Sequence, residues 1–230
     1  MAAPSPHFAL NVLYEDNHLL AVAKPAGLAT MGTPGGTTSL LEVAREYVRL
    51  KYAKPGNVYL GVMSRLDAPV TGVVLLARTS KAASRLTEQF RSHTVEKVYW
   101  AVVEGRMTPA ADDCDDWIRH DDRHRRVRIA GPDQPGAKRA LLRYRVLGSA
   151  GGDTLLEVRP QTGRKHQIRI QLARRGHPIL GDRKYGSSRR WPSGIALHAK
   201  RLVVAHPVGG EPVVLDAPPP PPWRGVADWE

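Results

Sequence analysis

Apolar positions recur along the chain in two rhythms, short alternating or continuous runs that read as strands and 3.6-residue stripes that read as helices. Residues 8–15 and 18–23 read as two strands joined at Glu15-Asp16-Asn17, the second stopped by Lys24-Pro25-Ala26-Gly27. Leu40, Leu41, Val43, Ala44, Tyr47 and Val48 fall on one helical stripe across 39–52, ended by Lys54-Pro55-Gly56. Residues 73–77 are apolar throughout, as in a strand buried on both faces. A second amphipathic helix starts at Ser80, read as its N-cap, with Ala83, Leu86 and Phe90 inward and Lys81, Arg85, Glu88 and Arg91 outward. Alternation resumes over 95–103, putting Lys97 and Tyr99 on one face and Val98 and Trp100 on the other. Residues 141–147, 154–158 and 195–205 are further strands. Between the last two, residues 160–176 read as a helix with Thr162 as N-cap, Ile168 and Leu172 inward and Gly176 as its end. Strands followed by isolated helices, without regular βαβ units, predict an α+β domain.

Two regions resist the pattern. Residues 107–139 mix Asp112, Asp113, Asp115, Asp116, Asp121 and Asp122 with His120, His124 and several arginines. No ligand pair there has an established zinc or calcium spacing, so solvated ion pairs are expected rather than a metal site. Its basic part, 119–128, reads as a hairpin able to lie against RNA. After residue 217 the proline-rich end reads as an extended tail. The expected layout is an N-terminal extension (1–10), one catalytic domain (11–216) and that tail (217–230).

Composition narrows the function. Lys and Arg outnumber Asp and Glu by 34 to 22, a net charge of +12, which argues for a polyanionic partner with nucleic acid first. A single cysteine excludes an internal disulfide, and no apolar run is long enough to span a bilayer. A cytoplasmic monomer without a membrane partner is expected, since the N-terminus has no charged region followed by an apolar core. The glycine-rich loop 32–38 lacks the Gly-Lys-Ser/Thr ending of a phosphate-binding loop. Lys24, at a rigid bend, reads as an exposed side chain or a phosphate contact.

Chemistry concentrates at residues 61–72, where Asp67 lies between Arg65 and a Pro69–Gly72 turn at the start of the buried strand. A carboxylate at the mouth of a core needs a cation near it, unless it only caps its own turn. Arg164, Lys165, His166 and Arg169 crowd the start of the third predicted helix, where they oppose its dipole and call for a phosphate or a buried carboxylate, unless they form a solvated basic face, a reading that charge alone supports equally.

Five motifs in order, Val22-Ala-Lys-Pro-Ala-Gly27, Ser64-Arg-Leu-Asp67, Glu96-Lys-Val-Tyr99, 162–169 and 176–186, resemble the RluA-type pseudouridine synthases, which isomerise uridine in structured RNA. The resemblance implies a large bent, mainly antiparallel sheet flanked by helices, and no cofactor. By it Asp67 matches the catalytic aspartate, Tyr99 the tyrosine that stacks on the base, and Arg169 the arginine that pairs with the aspartate. Arg65 matches the arginine that helps hold the displaced duplex, and Lys97, Arg164 and Lys165 are expected on RNA phosphates. The chain departs from the family pattern at Ser64, where histidine is usual, at Val70-Thr71-Gly72 in place of Thr-Ser-Gly, and at Gln171, where histidine is common. The rival readings are a catalytically silent RNA-binding homologue and a metal-dependent phosphodiesterase built on residues 112–124.

Overall fold

The computed structural model describes residues 10–32, 37–124 and 126–226. The expected N-terminal extension, the first residues of the first predicted strand and most of the glycine-rich loop therefore lie outside the described residues. The chain divides into two compact units, Met1–Val95 with Arg201–Pro218, and Glu96–Lys200 with Pro219–Glu230.

The first unit is built on β4 (Thr71–Ala77), in which all seven residues are buried as the continuous apolar run predicts. Strand β2 (Leu19–Lys24) pairs antiparallel with it from Leu19↔Ala77 to Lys24↔Gly72. Outside β2 lies β1 (Val12–Glu15), and the two-residue β3 (Gly61–Val62) also pairs with β4. Helix α1 (Leu40–Lys51) buries Leu40, Ala44 and Val48 and begins in a capping box between Ser39 and Glu42. Helix α2 (Ser80–Arg91) sets Ala82 and Leu86 into a core with Leu19, Ala21, Val73 and Leu75. Its N-cap is Thr79, one residue earlier than expected, whose hydroxyl accepts from the Ala82 amide at 3.1 Å.

The second unit holds antiparallel strands ordered β5-β9-β8-β6-β7. Its strands are β5 (Glu96–Glu104), β6 (Ala111–Asp121), β7 (Arg126–Ala130), β8 (Lys138–Ala150) and β9 (Asp153–Pro160). The illegible stretch thus resolves into β6, the β6–β7 hairpin and the start of β8, with Ile118, Val127 and Ala140 forming a small core that Ile170 of α3 (Gln167–Arg174) joins. Strand β10 (Leu197–Ala205) begins in this unit, and its second half pairs with β11 (Pro212–Asp216) in the first.

Two local readings are corrected. Thr162 does not cap α3, because its hydroxyl accepts from the Leu141 amide at 2.9 Å and donates to Gln167 Oε1 at 2.7 Å. The helix starts only after His166, whose left-handed backbone (φ 54°) turns the chain into it, so Arg164 and Lys165 precede the helix. The C-terminal segment is not wholly extended either. It forms one helical turn at Pro221–Trp223, and Trp223 is buried against Trp100, Trp191 and His198.

Candidate active site

Asp67 sits half-buried on a turn braced on both sides. Upstream, Ser64 Oγ accepts from the Leu75 amide at 2.9 Å, and Thr30 clamps Leu66 by accepting from its amide at 3.1 Å and donating to its carbonyl at 2.9 Å. The Asp67 carbonyl closes the turn by accepting from the Val70 amide at 3.0 Å. Downstream, the Ala68 carbonyl accepts from the Gly27 amide at 2.8 Å and from Lys24 Nζ at 3.1 Å.

Lys24 is the main surprise of this unit. Its side chain is 1% exposed rather than out in solvent, and its ammonium also donates to the carbonyls of Leu28 at 2.7 Å and Pro25 at 2.8 Å. Burial lowers its pKa from the ordinary lysine value to about 7, while the charge of Asp67 works in the opposite direction. An ammonium has three protons to donate, and three carbonyls accept from it, which offsets part of the cost of burying the charge. A lysine this buried beside a carboxylate belongs to the electrostatics of Asp67. The lysine-proline dipeptide signalled only a bend, because its acceptors come from residues up to 44 positions away. Arg65, two residues before Asp67, is exposed.

In the second unit Tyr99 is half-buried on β5 opposite Val158 of β9. Lys97, on the same face of that strand, donates to the Thr162 carbonyl at 3.4 Å, and burial lowers its pKa. Arg169 is 5% exposed on α3 and binds Asp182 through two bonds, Nε to Oδ2 at 2.6 Å and Nη2 to Oδ1 at 2.8 Å. The Tyr185 ring lies 5.1 Å from the guanidinium carbon. Arg164 and Lys165 are exposed just before α3, where Arg164 Nε donates to the Arg139 carbonyl at 3.3 Å and Lys165 Nζ lies 3.2 Å from His120 Nε2. Sequence reasoning named neither Asp182 nor Tyr185 as a site residue. The signal was present in the glycine-bounded 181–186 loop, whose acid lies 13 residues beyond a buried arginine.

Among the described residues, no group of three or more His, Cys, Asp or Glu side chains is arranged to hold a metal ion. The acidic cluster resolves into ion pairs: Asp113 with Arg143 at 2.6 Å, Asp115 with Arg139 at 2.6 Å, Asp121 with Arg128, and Asp116 with Arg175 at 2.8 Å. No described helix is long and apolar enough to cross a membrane.

Residues 18–174 match the family model described as RNA pseudouridylate synthase. The chain is 36% identical over 228 residues to ribosomal large subunit pseudouridine synthase D of Xanthomonas campestris pv. campestris, covering 92% of this chain and 66% of that protein. It is 33% identical over 238 residues to tRNA pseudouridine synthase C of Pectobacterium carotovorum, covering 94% of this chain and 61% of that protein. Among solved structures, human RNA pseudouridylate synthase domain containing 4 superposes with a TM-score of 0.75 at 27% identity, over 92% of this chain and 89% of that one. The motif series, the α+β fold and these matches agree, and the chain belongs to the RNA pseudouridylate synthase family.

Proposed function

We propose that this chain isomerises uridine to pseudouridine in structured ribosomal or transfer RNA, with Asp67 as the catalytic carboxylate. Two relatives of this chain carry names for ribosomal large subunit and tRNA pseudouridine synthases, which supports RNA of those classes as substrate. The reaction breaks the bond from C1′ to N1 of the base, joins C1′ to C5, releases the C5 proton and leaves a proton taken from solvent on N1, so the base turns over without net gain or loss of atoms. A carboxylate serves it either by attacking the nucleotide or by taking a proton. A uridine stacked in a stem is out of reach, so the enzyme extrudes it, and Tyr99 stacks on the freed base. Arg169 orients the carboxylate. Arg65, Arg164, Lys165 and Lys97 hold phosphates, Lys97 being the least exposed of the four cations. The protein works as a cytoplasmic monomer, and no cofactor or metal enters the scheme.

The observation that carries this reading is the bracing of Asp67, with Thr30 fixing the residue before it and buried Lys24 fixing the residue after it. A silent RNA-binding homologue has no use for a buried ammonium beside a half-buried acid, since burying a charge costs free energy that binding alone does not recover.

Asp67→Asn tests it. Asparagine keeps the shape and the turn-forming backbone and removes only the anion. The variant is expected to fold and bind RNA like the wild type, yet to yield no pseudouridine in digests of single-turnover reactions and no tritium from 5-labelled uridine RNA. If Asp67 only capped its turn, asparagine would cap it nearly as well and activity would persist. A folded, RNA-binding Asp67→Asn protein with substantial activity would therefore defeat the assignment. Wild-type tritium release that survives a chelator sets aside the phosphodiesterase reading in the same experiment.

A further inference from the structure

Arg169 is held by a single turn of chain that follows its own helix. The loop after β-bridge residue Ile179 makes one short helical turn at Arg183–Tyr185, preceded by Asp182 and ended by Gly186 with φ 99°. Residues three apart on such a turn share a face, so Asp182 and Tyr185 both meet the same guanidinium. Asp182 is 1% exposed and takes one proton from Nε and one from Nη2, in the plane of the group. Tyr185 covers one side of that plane. The tyrosine is anchored in turn: its hydroxyl lies 2.7 Å from His166 Nδ1 and accepts from the Val127 amide at 2.9 Å. The loop is fixed at its other end by Gly181, where an added Cβ would lie 2.8 Å from Trp191 Cβ and 2.9 Å from the Gly194 carbonyl, at a φ of +83°.

A guanidinium has five N–H donors, and Asp182 engages two of them, Nε and one on Nη2. The two-bond pair fixes the rotation of the group, and the Tyr185 ring packs 5.1 Å from its central carbon. Asp182 also balances the charge, so whatever acceptor meets the remaining donors meets an oriented set of N–H bonds attached to a neutralised pair. That arrangement selects for geometry rather than for net attraction.

We propose that Asp182 is a positioning residue for catalysis, acting through Arg169, with the Tyr185 ring packed against the guanidinium. The inference rests on the proposed isomerase activity of the Asp67 site. A misplacement of a catalytic partner by about 1 Å costs about 100-fold in rate, and this sets the scale of the test.

Single-turnover isomerisation of unmodified ribosomal and transfer RNA transcripts labelled with tritium at uridine C5 is measured per folded, RNA-binding molecule, beside melting curves and RNA dissociation constants. Asp182→Asn is expected to lower the rate about 100-fold while RNA affinity stays within about threefold. Asp182→Glu keeps the buried charge pair but shifts it by a methylene. It is expected to melt close to the wild type and still react at least about tenfold more slowly. A merely structural acid would be rescued by glutamate in both readouts. In an Arg169→Gln background, where Asp182→Asn makes a neutral amide pair that can fold, the second change is expected to alter the rate less than about threefold, because the two residues act as one unit. Wild-type rates per folded molecule in Asp182→Asn, full rescue by Asp182→Glu, or a further 100-fold loss in the double variant would each overturn the proposal. Wild-type protein that isomerises no transcript would instead overturn the reading of function, so the two failures are distinct.

Discussion

Lys24 occupies a position where one side chain joins two turns, because its ammonium bonds the carbonyls of Pro25 and Leu28 on one and Ala68 on the other. Replacing it with methionine leaves three acceptors facing an apolar side chain. An unsatisfied buried polar group costs about 1–3 kcal/mol, and relief from burying a charge offsets part of the sum. The pH dependence is the more telling readout. Lys24 titrates near its ordinary 10.5 when unfolded and at about 7 when folded. Between those values the unfolded chain holds a proton that the folded chain has shed, so the contribution of Lys24 to stability rises with pH across that window and is lowest, and level, below it. Urea unfolding of wild type and Lys24→Met at pH 7 and pH 9.5 is expected to show the difference shifting in favour of the wild type at the higher pH. Parallel pH profiles for the two proteins would contradict a folded-state lysine held near neutral pH.

At the scale of elements, what was legible followed from local chemistry. The all-apolar run of β4 announced a strand buried on both faces, and the stripe of α1 announced its buried residues, while in α2 the stripe gave Leu86 but put Ala83 and Phe90, which are half-buried, in place of buried Ala82. Helix α3 was misplaced at its start because Thr162 has the right side chain for an N-cap but spends it on Leu141 of β8, a contact 21 residues distant. Lys24 and Asp182 escaped for the same reason: each is defined by a partner that only the tertiary fold brings near. Strand β6 was hidden because its outward face carries Asp113 and Asp115, poor strand formers that Arg143 and Arg139 neutralise across the sheet. The departures from the family pattern are absorbed locally. Ser64 binds the Leu75 amide, and buried Gln171 donates to the Cys114 and Ala140 carbonyls and to Asp116. The capping box of α1 gives an element-scale prediction. Ser39→Ala removes the bond to the Glu42 amide and one of the two donors to the Glu42 carboxylate, whose pKa the Ser39 backbone and hydroxyl hold down; the backbone donor remains. The expected loss is about 1 kcal/mol in chemical denaturation, typical of an N-cap. An unchanged unfolding midpoint would mean that tertiary packing alone holds the start of that helix.

At the scale of the whole molecule, the count of 34 lysines and arginines overstates what is available to RNA, because many arginines are already spoken for. Arg128, Arg139, Arg143, Arg145, Arg159 and Arg175 all lie in ion pairs with carboxylates. Arg65, Arg164 and Lys165 have no carboxylate partner among the described residues, and all three are exposed. Phosphates compete for the second group without first displacing an acid. Each phosphate contact releases condensed counterions and steepens the salt dependence of binding by about 0.7–0.9 in log–log slope. Lys165→Gln is therefore expected to lower that slope by about one such increment, with turnover of bound RNA nearly unchanged, because Lys165 precedes α3 and touches neither Asp67 nor Tyr99 in the proposed chemistry. Arg143→Gln is the contrasting control: its loss frees Asp113 but removes no cation that was open to phosphate, so its slope should stay within error of the wild type. Binding titrations across a tenfold range of salt decide the matter. Equal slopes for wild type and Lys165→Gln would remove Lys165 from the RNA interface, and a drop for Arg143→Gln would show that paired arginines exchange their carboxylates for phosphate.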